Sequence, residues 1–221
     1  MRDLVVYCAD IGSVKRGNFG GARLARGVDE PHTDTSIEAL IADLAGHLNA
    51  GFPVALGFEC PLWIPLPQKC EQLGSARTGE SGKGMKSRPW SAGGGAAALT
   101  TGAVQVPWVL RALKCRVPDR QAFLDWHEFE TEGRGLFLWE AFVTAEGKVG
   151  TVKAPGDEGK DERDARIAVE EFDSVLDDPK AANACQPKDE VFSLVGAAML
   201  RTCWSTDPAL LRQPCLVIKP A

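Results

Sequence analysis

The stretch Gly51–Leu62, GFPVALGFECPL, decides how this chain folds. Val54, Ala55, Leu56 and Phe58 form a short apolar run. Gly51 and Pro53 bound it on one side and Pro61 on the other, the pattern of a strand buried on both faces. Such strands lie mid-sheet under helices, as parallel strands do. Glu59 stands at the C-terminal tip, where open α/β sheets place their ligands. A second acid is placed in the same way: Asp10 follows the run Leu4-Val5-Val6-Tyr7-Cys8-Ala9.

The elements before this strand follow from local signals. Leu4–Asp10 reads as the first strand, and Gly12–Gly20 supplies turn chemistry. Phe19–Leu24 then folds back as an antiparallel hairpin partner. Gly20-Gly21 weakens that strand unless a backbone or a ligand approaches closely there. Val28–Asp34 offers a short third strand. Thr35 and Glu38 have capping-box spacing, and Ile37, Leu40, Ile41, Leu44 and Leu48 share one helical face up to Gly51. His47 reads as a surface residue of this helix.

After the central strand comes an irregular Gly/Pro-rich segment, Trp63–Thr101. Lys69, Arg77, Lys83, Lys86 and Arg88 are spaced along it, with Trp90 close behind. A long structureless segment in a compact domain is a functional loop or a mobile flap. It is not a P-loop, because Gly82-Lys83 is followed by Gly84 rather than Ser or Thr. As a lid, it would offer these cations, Arg77, Lys83, Lys86 and Arg88 among them, to phosphates and Trp90 to a base.

The second half alternates helices and strands. Thr100–Leu113 is predicted helical with Val104, Trp108 and Leu113 inward, and Pro107 kinks it or marks its start. Asp119 caps a helix running to Glu132. Leu136–Val143, LFLWEAFV, is a second buried strand with one acid, Glu140, which must meet a cation, a donor or a metal. Glu146-Gly147 turns the chain back through Val149–Val152. Asp161–Leu176 is an amphipathic helix whose many acids read as a solvated face. Asp189 caps the last long helix, and Cys215–Ile218 closes the sheet as a short strand.

Composition narrows the function classes. With 221 residues and an ordinary apolar fraction, the chain has material for a sizeable core. A net charge of −5 gives no global basic field, so a polyanionic partner must be met by a local patch. No stretch is apolar enough to span a membrane, and Met1-Arg2-Asp3 leads straight into a strand rather than a signal peptide. Seven cysteines without CxxC or zinc spacing read as reduced packing residues, which points to the cytoplasm.

Four acids therefore stand out as catalytic candidates: Asp10, Glu59, Glu140 and Asp189. Carboxylates gathered at element ends suit hard divalent cations such as Mg²⁺ or Mn²⁺, which serve phosphoryl transfer in pairs about 4 Å apart. Asp-Ile-Gly-Ser before a Gly-rich hairpin, ALGFECPL, LFLWEAFV, and the C-terminal Asp189-Glu190 followed by a small-residue helix together resemble the ribonuclease-H-like superfamily. The likeness is to its branch of predicted nucleases called domain of unknown function 429. It extends over nearly the whole chain by order of elements.

The resemblance implies one α/β domain over residues 1–221, with a mixed sheet of about five strands, helices on both faces and the insertion at 63–101. It implies a two-metal centre held by Asp10, Glu59 and Asp189, with Glu140 as a further acid. The function expected is a metal-dependent nuclease or related phosphodiester hydrolase acting on nucleic acid. The alternative is a non-catalytic module of the same fold that binds nucleic acid or a nucleotide. An actin-like phosphotransferase would want a second lobe, and a glycosidase built on Glu59 and Glu140 would want aromatic sugar platforms.

Overall fold

The computed structural model describes residues 3–28, 30–81, 89–143 and 159–220. Along the first half run β1 (Val5–Asp10), β2 (Gly20–Ala25), β3 (His32–Asp34), α1 (Ile37–Ala50), β4 (Pro53–Phe58), β5 (Trp63–Leu66) and α2 (Gly93–Arg116). The second half adds β6 (Ala122–Phe123), α3 (Trp126–Glu132), β7 (Gly135–Ala141), α4 (Lys160–Ser174), β8 (Glu190–Ser193), α5 (Leu194–Arg201) and β9 (Val217–Ile218). The protein is α/β.

Every residue of β4 and of β7 is buried, as their apolar runs require. The two strands pair in parallel at the centre of a mixed sheet of order β3-β2-β1-β4-β7-β6, with β9 also on β7. β1 is parallel to β4 and antiparallel to β2, and β3 is antiparallel to β2. The sheet has seven strands rather than about five because two short ones share the outer side of β7. β6 pairs with Leu136 and Phe137, and β9 with Glu140 and Ala141. Gly57 interrupts the β4 run because Trp139 lies across it. A Cβ at Gly57 would sit 2.4 Å from the indole.

Alternation along β1 builds two cores. Val5, Tyr7 and Ala9 face α1, α2 and α5, whereas Leu4, Val6 and Cys8 face α3 and α4. Helices therefore cover both faces of the sheet. None among the described residues is long and apolar enough to cross a membrane.

Several local expectations are corrected. Ser36 rather than Thr35 caps α1, accepting the Ala39 N–H. His47 is half-buried, with its ring beside the Tyr7 hydroxyl. The segment 63–101 is not structureless: β5 pairs with β8, and Gly93-Gly94-Gly95 open the 24-residue helix α2. Pro107 lies inside α2, and Val104 and Trp108 point outward while Val106, Val109 and Leu110 are buried. Asp125, not Asp119, caps α3, with its side chain accepting the His127 and Glu128 N–H groups. The turn expected at Glu146-Gly147 and the return through Val149–Val152 lie outside the described residues.

Asp189 does not begin a helix either. The residues after it alternate in exposure and pair with β5 as β8, and Ser193 caps α5 through the Gly196 N–H. Two-residue alternation outweighs an acid before an apolar stretch, because a half-buried strand buries Val191 and Ser193 together.

Candidate metal centre

Asp10 is the last residue of β1, and Glu59 immediately follows β4. These two strands are adjacent and parallel, so both acids leave the sheet at the same carboxyl edge. The Glu59 N–H donates to the Ala9 carbonyl at 2.9 Å, which ties the two strand ends together. The pairing expected of Asp10 and Glu59 is thus built directly into the sheet.

The third acid is Asp164, from α4. One carboxylate oxygen each from Asp10, Glu59 and Asp164 lies within 4.8 Å of the others, the one such group of potential ligands among the described residues. Asp164 is 1% exposed, so it does not belong to the solvated face expected of that helix. A signal for it was present: Asp164, Ala168 and Phe172 repeat every four residues, and the latter two are core residues. Asp189, expected here, is exposed on the rim of another cleft beside Trp63, Gln72 and Lys188.

Gly20 explains how α4 reaches the strand ends. It sits opposite Asp10 in the β1–β2 ladder, and the first turn of α4 crosses directly over it. A Cβ at Gly20 would lie 2.1 Å from the Asp161 carbonyl carbon. The close backbone approach expected at Gly20-Gly21 is that of α4.

The electrostatics of the neighbourhood agree. Cys8, one turn of the pleat below Asp10, is fully buried, and burial raises its thiol pKa well above the ordinary value. The charges of Glu59, Asp10 and Asp164 push it further in the same direction. Cys8 is not part of the ligand group that the three carboxylates form.

Glu140 is engaged elsewhere. Its two oxygens accept from Arg77 Nη1 at 2.8 Å and Nη2 at 2.5 Å, and Oε2 also accepts the Leu62 N–H at 2.9 Å. Arg77 Nε donates to Glu80 Oε1 at 2.7 Å, and all three residues are buried. Burial disfavours the Arg77 charge, but the adjacent Glu140, with Glu80 behind it, more than compensates and moves its pKa upward. Glu140 thus meets a cation, Arg77, and lies outside the group formed by Asp10, Glu59 and Asp164. Glu140 and Arg77 still line, with Glu80, the cleft that Asp10, Glu59 and the start of α2 enclose.

Of the residues expected to contact substrate, Lys83, Lys86 and Arg88 lie outside the described residues. Trp90 is half-buried, and its indole N–H donates to the Ser75 carbonyl at 2.9 Å. That bond ties the segment leading into α2 to the chain at Ser75. Compared with protein-family models, with curated proteins and with solved structures, the chain finds no match.

Three carboxylates, with no imidazole or thiolate among them, offer a set of hard oxygen donors that could hold a divalent cation.

Proposed function

We propose that this chain is a metal-dependent phosphodiester hydrolase on a ribonuclease-H-like scaffold, with nucleic acid as the substrate class. The convergence of Asp10, Glu59 and Asp164 at the carboxyl edge of β1 and β4 carries this reading. Three further features support it. The central strands run β3-β2-β1-β4-β7, helices cover both faces, and acids come from the first strand, the next parallel strand and a later helix. In this reading Asp164 takes the part that the family resemblance implies for Asp189.

Asp10, Glu59 and Asp164 would hold Mg²⁺ or Mn²⁺. When bound, the metal supplies Lewis-acid activation of water and offsets charge on the phosphoryl oxygens. The protein's own part is to fix the three carboxylates on rigid elements and to exclude bulk water from their inner side. Glu59 Oε2 and Asp164 Oδ1 are both sealed from solvent. α2 begins at the same cleft with no acid in its first turn, so its positive end faces the space a phosphate would enter.

The test is hydrolysis of bis(p-nitrophenyl) phosphate and of labelled single- and double-stranded oligonucleotides in Mn²⁺. Wild type should turn over at least one of them, and Asp10→Asn and Asp164→Asn should lose activity at least 100-fold. Mn²⁺ binding without turnover of any would replace this reading with the non-catalytic module. Turnover that survives both substitutions would overturn the assignment of the site.

A further inference from the structure

The described residues contain one fully buried ionic network, Arg77 with Glu80 and Glu140, and its hydrogen bonds reach well beyond the three side chains. Glu140 is the cross-strand partner of Phe58, the residue immediately before Glu59. Its Oε2 also holds the Leu62 N–H, at the far end of the turn that Glu59 begins. Arg77 donates to the Trp63 carbonyl at 3.3 Å and lies 4.8 Å over the Trp63 ring. On the other side, Glu80 accepts the Arg77 N–H at 2.7 Å and the Trp90 N–H at 3.2 Å.

Stability alone does not account for such a network. Well-packed apolar residues in place of a buried ion pair are commonly as stable or more so. What charged, forked groups provide that apolar ones do not is direction: each bond fixes a backbone atom at one place. Here the atoms fixed include the Leu62 N–H and the Trp63 carbonyl, at the far end of the turn that begins with the candidate metal ligand Glu59.

We propose that Glu140 and Arg77 are positioning residues for the metal centre, holding the Glu59–Leu62 turn so that the Glu59 carboxylate meets those of Asp10 and Asp164. This rests on the metal reading above. Partners that orient a ligand from behind are worth about 10–100-fold in metal affinity.

Glu140 and Glu80 provide a matched pair for the test. Both carry one negative charge, both line the cleft and both bind Arg77, but only Glu140 touches the turn. The experiment is Mn²⁺ titration calorimetry of folded wild type, Glu140→Gln, Glu80→Gln and Arg77→Lys. Field effects alone predict equal weakening by the two glutamine variants and no change with lysine. Positioning predicts that Glu140→Gln weakens Mn²⁺ binding at least 10-fold more than Glu80→Gln. It also predicts that Arg77→Lys, which keeps the charge but loses the fork, weakens binding at least 10-fold.

Equal dissociation constants for the two glutamine variants would overturn the proposal while leaving the metal centre standing. Absence of Mn²⁺ binding by wild type would remove the metal centre and the proposal together. Should Arg77→Lys fail to fold, the glutamine pair decides alone.

Discussion

Asp10 and Asp164 bring carboxylate oxygens within 4.8 Å of each other, although one ends the first strand and the other lies on a helix late in the chain. Glu59 joins them from the neighbouring strand.

Asp164→Asn should fold and lose its response to metal. A ligand bound only by the native state stabilises by about 2.7 kcal/mol at 100 times its dissociation constant. For a chain of this size that is roughly 5–10 °C in melting temperature. Wild type should show this rise in Mn²⁺, and Asp164→Asn should show less than a third of it. Asp189→Asn should respond as wild type does, and a lost response there would contradict the site.

Gly20→Ala should damage both the fold and the site. The added methyl meets backbone of α4 rather than a movable side chain. Overpacking of this kind costs about 1–3 kcal/mol. The relief available is an outward shift of α4, which carries Asp164 away from Asp10. Chemical denaturation and Mn²⁺ titration of the same sample should show both losses. A variant with native stability and native affinity would mean that α4 does not pack as described.

Arg77→Ala should act on stability before it acts on any substrate. It leaves Glu80 and Glu140 buried without their shared cation, and removing one partner of a buried ion pair costs about 3–5 kcal/mol. Urea denaturation checks this. A fully stable variant with weakened oligonucleotide binding would restore Arg77 to the role of a substrate cation.

Asp125 gives a pH dependence with a definite sign. Partial burial works to raise its pKa, but Lys180 and the N–H groups of Glu128 and His127 outweigh burial and hold it below the ordinary value. A depressed carboxylate stabilises the fold at pH above the unfolded value, and that contribution is lost as pH falls through the folded one. Asp125→Ala should therefore cost about 0.5–2 kcal/mol at neutral pH, the worth of a helix cap. The gap from wild type should narrow steadily toward pH 3. A gap independent of pH would show that the charge plays no part.

What could be read from the sequence was what neighbouring residues decide among themselves. The apolar runs that became β1 and β4 have turn residues close beyond their ends, so their tips, and with them Asp10 and Glu59, could be placed. Gly20-Gly21 announced a close approach but not by what. Asp164 was hidden because Lys160-Asp161-Glu162-Arg163-Asp164 reads as one charged surface. Its four-residue spacing from Ala168 and Phe172 is the one local sign, and the packing of α4 across β1 and β2 is what buries it apart from the other acids.

Glu140 was correctly marked as a buried acid in need of a partner. That partner, Arg77, sits in a segment whose composition suggested a loose lid, and no local pattern links the two. Asp189 misled because an acid before apolar residues is a good helix cap. The strand β8 exists through its pairing with β5, a long-range fact that neither segment reveals by itself.

The most direct test of the central claim is anomalous diffraction at the manganese edge from a crystal soaked in Mn²⁺. One or two peaks are expected, the strongest ligated by Asp10, Glu59 and Asp164 together, with Arg77 and Glu140 still paired behind them. A well-soaked crystal with no peak there, or with its strongest peak on Asp189 or Glu140, would contradict it.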